Sequence, residues 1–158
     1  MLEALLVDPP VTIYPFKMLA IIQPELQGRP GHSLPYTRKE LETIQRHIPN
    51  KSWLTMLGTR EAPTSVAKVL DELSNASFAH FTCHGTQDPR NPLDSALHLD
   101  DDKLKASMII ERRLPNASLA FLSACETAAG DKQTPDEVIH LSTTLLFAGF
   151  RGVIGTMW

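Results

Sequence analysis

His84 and Cys125 are the two side chains in this sequence that could do covalent chemistry together. His84 ends an apolar run, FAHFTCHG (78–85), and Cys125 lies in a second one, LSACE (122–126). A thiol becomes a nucleophile at neutral pH when a neighbouring base or positive dipole favours the thiolate. A histidine can take the thiol proton and later return it to a leaving amine. Gly85 follows the histidine. An acyl-transfer site needs backbone N–H groups aimed at the developing oxyanion, and a residue without a side chain lets a substrate carbonyl approach its amide closely. The competing reading is a buried structural cysteine and a surface-loop histidine. Spacing alone leaves both open.

Other residue groupings carry less chemistry. His80, Cys83 and His84 could be read as metal ligands, but strand alternation sends Cys83 to the face opposite His80 and His84. No second Cys/His pair stands at zinc spacing. His80 therefore reads as a packed strand residue and Cys83 as a small core residue. Asp100-Asp101-Asp102 lacks the spaced oxygen ligands and glycine of a calcium loop and reads as a solvated turn. His32, His47, His98 and His140 have no partner visible in the sequence. There is no phosphate-binding or dinucleotide-binding glycine motif, and no G-x-S-x-G elbow of a serine hydrolase.

The elements that must position His84 and Cys125 alternate along the chain. Residues 17–23 (KMLAIIQ) read as a buried strand. Thr37-Arg-Lys-Glu40 is a capping box, followed by Leu41, Ile44 and Ile48 at helical spacing. Residues 52–57 read as a second strand, and Thr64 as the cap of a helix presenting Val66, Val69, Leu70 and Leu73 on one face. Residues 78–83 form the third strand. A hairpin-like insert spans 95–104 with Asp100–Asp102 as its turn, and a short helix lies near 107–113. Residues 118–124 form the fourth strand. Thr134-Pro-Asp-Glu137 is a second capping box, whose helix runs to about Ala148 and stops at Gly149. Residues 151–158 read as a fifth strand. Three stretches rich in Pro, Gly and polar residues, 23–35, 85–94 and 128–136, read as surface loops. Apolar strands alternating with helices predict a mainly parallel sheet with helices on both faces. Ligands and chemistry in such sheets sit beyond the carboxyl ends of the strands, which is where His84 and Cys125 both fall.

The bulk numbers fit that frame. A chain of 158 residues is one domain's worth, and one of this size buries roughly 70% of its unfolded surface. A net charge of −3 with no basic cluster gives no footprint for nucleic acid. No apolar run approaches the roughly 18 residues needed to span a bilayer. The opening MLEALLVDPP carries an acid where a signal peptide carries positive charge. Two cysteines make no disulfide framework. The expectation is a reduced, cytoplasmic protein with neither a nucleic-acid nor a membrane partner.

These motifs resemble a known family. FAHFTCHG followed by LPNASLAFLSACETAAGD is similar to the CHAT domain, a caspase-like cysteine peptidase domain often joined to TPR arrays. The likeness extends through DPRNPLDSALHL (88–99) and DEVIHLSTTLLFAGFRGVIGTMW (136–158), and more weakly through KMLAIIQPELQG (17–28). It divides the chain into an N-terminal extension, 1–16, and the domain, 17–158. It implies a three-layer α/β sandwich of caspase type, incomplete at its C-terminal end because family members usually continue past a tryptophan such as Trp158. It implies a cysteine endopeptidase with His84 as the dyad histidine, Cys125 as nucleophile, and the amides of Gly85 and Cys125 as oxyanion hole. No metal or organic cofactor is required, and the implied partners are protein or peptide substrates and TPR- or CHAT-containing proteins. The alternative is a retired peptidase or fragment serving as an interaction or signalling module.

Overall fold

A run of residues apolar on both sides, such as 17–23, satisfies a strand covered on both faces, and the core of the molecule is built on such runs. In the computed structural model, which describes residues 15–25, 33–88, 90–123 and 138–155, the chain begins with β1 (Met18–Ile22), α1 (Thr37–His47), a 3-10 turn at Lys51–Trp53, β2 (Leu54–Leu57) and α2 (Val66–Asn75). It continues with β3 (Phe78–Thr82), β4 (Gly85–Thr86), a 3-10 turn at Pro92–Asp94, β5 (Ala96–His98), β6 (Lys103–Lys105) and α3 (Ala106–Ile110). The last elements are β7 (Leu119–Leu122), α4 (Val138–Ala148) and β8 (Gly152–Gly155). The predicted cap at Thr134, the loop at 128–136 and the end of the last strand at 156–158 lie outside the described residues.

Five strands form one parallel sheet in the order β2-β1-β3-β7-β8. Alternation then sorts the side chains. Leu19, Ile21, Ala79, Phe81, Cys83, Ala120 and Leu122 enter a single buried cluster with Val69, Leu70 and Leu73 of α2, Ile109 of α3, and Leu141 and Leu145 of α4. The opposite face carries Met18, Phe78, His80, Thr82, Leu119 and Phe121, and α1 packs there. This is the mainly parallel sheet flanked by helices expected of a caspase-like sandwich. Among the described residues, no helix is long and apolar enough to cross a membrane.

Two of the three caps read from sequence, at Thr37 and Thr64, are replaced by other arrangements. Thr37 is the first helical residue of α1 rather than its cap, and its hydroxyl donates to the Leu34 carbonyl at 3.0 Å. Glu40 does not reach back to the helix start; its carboxylate is taken by the sheet. At α2 the cap is Ser65, whose side chain accepts from the Lys68 N–H, while Thr64 is fully buried and bonded elsewhere. The stop at Gly149 holds. Gly149 has φ +127°, the Gly149 N–H donates to Leu146 and the Phe150 N–H to Leu145, the paired bonds of a Schellman ending.

The stretch 85–94 is not simply a loop. Gly85 and Thr86 form β4, which pairs antiparallel with β5, and β5 with β6, making a small second sheet over the insert. Its outer edge is tied by Lys105, whose ammonium donates to Asp94 at 2.9 Å and holds that carboxyl below its usual range.

Candidate active site

His84 stands two residues beyond β3, at the carboxyl end of the central strand of the parallel sheet, between β3 and β4. Its place beyond the carboxyl end of the strand is as expected, but its exposure is not that of a surface loop: only 2% of it is accessible. The insert hairpin accounts for this, because the His98 N–H donates to the His84 carbonyl at 2.8 Å and lays β5 alongside. Cys83 is fully buried in the core cluster, as a small apolar residue would be. His80, on the other face, is a packed strand residue stacked on Phe121 with centroids 5.1 Å apart and planes within 6°. Cys125 lies outside the described residues.

The register of the hairpin decides what the Gly85 amide can do. Gly85 is opposite Leu97, and Thr86 opposite Ala96. His84 and His98 occupy the preceding place and are joined by a ladder hydrogen bond. Antiparallel pairs alternate between bonded and non-bonded sites, so the Gly85–Leu97 pair is a non-bonded one. The Gly85 N–H therefore points away from β5. The fold does not demand a glycine here: an added Cβ would meet Ala96, Leu97 and Leu141 at 3.7–3.8 Å, ordinary contact distance.

The hairpin is itself anchored by a polar knot that the solvated-turn reading missed. Asp100 accepts from the Gln23 side-chain amide at 2.9 Å and from the Thr64 N–H at 2.7 Å. The Thr64 hydroxyl lies 2.9 Å from Asp100 and 2.7 Å from the Gln23 side-chain oxygen, and it accepts from the Asp100 N–H at 3.0 Å. Asp101 accepts from the Val66 N–H at the start of α2. The turn thus locks the insert to the end of β1 and the start of α2. Replacing Asp100 with alanine takes the acceptor from the Thr64 N–H and one of two acceptors from the Gln23 side-chain amide, which keeps the Glu25 carbonyl, and should cost about 2–3 kcal/mol. Thermal unfolding should show a midpoint lower by roughly 5–10 °C.

On the α1 face, Glu40 gathers three donors. Its Oε2 accepts from His80 Nε2 at 3.0 Å and from the Thr82 hydroxyl at 2.9 Å, and its Oε1 accepts from the Ser123 hydroxyl at 2.8 Å. A carboxylate only accepts, so this contact puts a proton on His80 Nε2. A cavity of about 480 Å³ opens beside the group, which leaves the Glu40 side chain 35% exposed and His80 14%. None of the three contacts to Glu40 was read from the sequence. Their signal was present in polar residues, His80, Thr82 and Ser123, set on one face of otherwise apolar strands.

The match to a family model settles kinship. The CHAT domain model matches residues 12–158. The chain belongs to the CHAT domain family. This is a caspase-like, peptidase-related family, and the CHAT match covers nearly the whole sequence, including the His84-Gly85 and Cys125 motifs. No curated protein matches the chain.

Proposed function

We propose that this CHAT domain is a cysteine-type endopeptidase that hydrolyses protein or peptide substrates through His84 and Cys125. The observation that carries the reading is a buried histidine held at the carboxyl end of β3, followed by an amide turned away from its own hairpin. The neighbouring strand supports it. Phe81 pairs with Leu122, and the Ser123 N–H donates to the Phe81 carbonyl at 2.8 Å, so the chain two residues before Cys125 in sequence is bonded to the strand that leads into His84.

In this mechanism His84 takes the Cys125 proton, and the thiolate attacks the scissile carbonyl carbon. The resulting oxyanion accepts hydrogen bonds from the Gly85 and Cys125 N–H groups. The C–N bond then breaks as the His84 imidazolium gives its proton to the leaving amine. A water, deprotonated by His84, attacks the thioester, and Cys125 leaves and is reprotonated. A peptide library incubated with the protein should be cleaved, and Cys125→Ala should abolish that cleavage; cleavage surviving in Cys125→Ala would refute the assignment.

Gly85→Ala separates chemistry from folding. At an ordinary negative φ, with room for the methyl group, the fold should change by no more than about 1 kcal/mol. Turnover should fall by roughly tenfold or more as the methyl crowds the carbonyl approaching that amide. The unfolding midpoint and kcat/KM, measured on one preparation, check both halves.

A further inference from the structure

Thr82 stands two residues before His84, and Ser123 two residues before Cys125. Both hydroxyls donate to the same carboxylate, Glu40 on α1. A third donor, His80, comes one alternation earlier on β3 and lies flat against Phe121, its register partner on β7. From these contacts we propose that Glu40 is a positioning residue of the dyad, a clamp that fixes the spacing and rotation of the two chains at Thr82 and Ser123, each two residues upstream of a dyad member in sequence. The proposal rests on the peptidase reading above.

Two residues span at most roughly 7 Å of chain, so each dyad side chain is carried on a short arm from a hydroxyl anchored at 2.8–2.9 Å to Glu40. Parallel strands hold their neighbours through evenly spaced backbone bonds, and those bonds reach Ser123 through its N–H on Phe81. Glu40 adds a cross-link on the side-chain level between the same two chains, through Thr82 and Ser123. Because α1 is a separate element packed on the far face, the clamp also refers both strand ends to a rigid third body. A displacement of about 1 Å at a reacting group costs on the order of a hundredfold in rate, so a modest loosening is readable.

The readout is the pH dependence of Cys125 alkylation by iodoacetamide, followed by mass spectrometry with the buried Cys83 as internal reference. Wild type should show an apparent Cys125 pKa below the usual thiol value of about 8.5. Glu40→Ala should return it toward that value and slow alkylation at pH 7 by roughly tenfold. In a His84→Ala background the same substitution should add nothing, since a clamp that works through the dyad has nothing left to align; a purely structural role would add its loss again. A wild-type Cys125 that titrates as a free thiol overturns the peptidase reading and the clamp together. A depressed wild-type value unmoved by Glu40→Ala overturns the clamp alone. Should Glu40→Ala fail to fold, Thr82→Val and Ser123→Ala each remove one donor: a raised Cys125 pKa in either supports the clamp, and unchanged values in both refute it.

Discussion

His84→Ala should lower peptide turnover by at least about 100-fold, the contribution of one positioned general acid–base group. Two steps in the proposed mechanism need the imidazole, thiol deprotonation and amine protonation, and no neighbouring group in the described region stands ready to replace it. His98 is the nearest histidine across the hairpin, but its Nε2 is 3.1 Å from the Thr86 hydroxyl, directed along the insert. Removing a side chain that is only 2% exposed also leaves a gap, and a cavity of this kind costs stability. The two effects are separable. Turnover should be measured well below the variant's unfolding midpoint, and Cys125 alkylation followed in parallel. Loss of turnover with Cys125 reverting to free-thiol reactivity is the expected pair. Unchanged turnover in a folded variant would remove His84 from the mechanism.

The architecture was legible because its signals are local. Apolar strands 17–23, 78–83 and 118–124 need no knowledge of their partners to be recognised, and the parallel sheet follows from the helices between them. The rim position of His84 follows from the same pattern. Glu40 and Asp100 were misread for the opposite reason. Each matched a local motif, a capping box and an acidic turn, and local motifs compete with partners far away in sequence. Glu40 bonds to Ser123 across 83 positions, and Asp100 to Gln23 across 77. A buried hydroxyl or amide without a partner costs more than an exposed helix end, so the tertiary contact takes the carboxylate. Burial of His84 escaped the sequence too, since the strand that covers it, β4–β5, is only two or three residues long and looks like the turn-rich loop that surrounds it.

Gly58→Ala should be the most damaging single methyl added to the framework that supports the site. Gly58 follows β2 with φ +95°, a conformation that costs an L-residue about 1–2 kcal/mol. Space is the larger problem: an added Cβ would lie 1.6 Å from the carbonyl oxygen of Ile22. That overlap is with backbone and cannot be relieved by a side-chain rotation, so the end of β1 must move. Gln23 is the next residue, and its side chain belongs to the knot with Thr64 and Asp100 that anchors the hairpin over His84. Strain at Gly58 therefore travels through one peptide to the insert. The expected cost is about 3 kcal/mol or more, combining the conformation and the clash, and the unfolding midpoint should fall by roughly 10 °C. Alkylation of Cys83 provides a second readout, because a core opened at β1 exposes that buried thiol while Gly85→Ala leaves it protected. A Gly58→Ala protein as stable as the parent would show that the β1–β2 junction yields easily, and with it that the knot at Gln23 does not hold the insert in place.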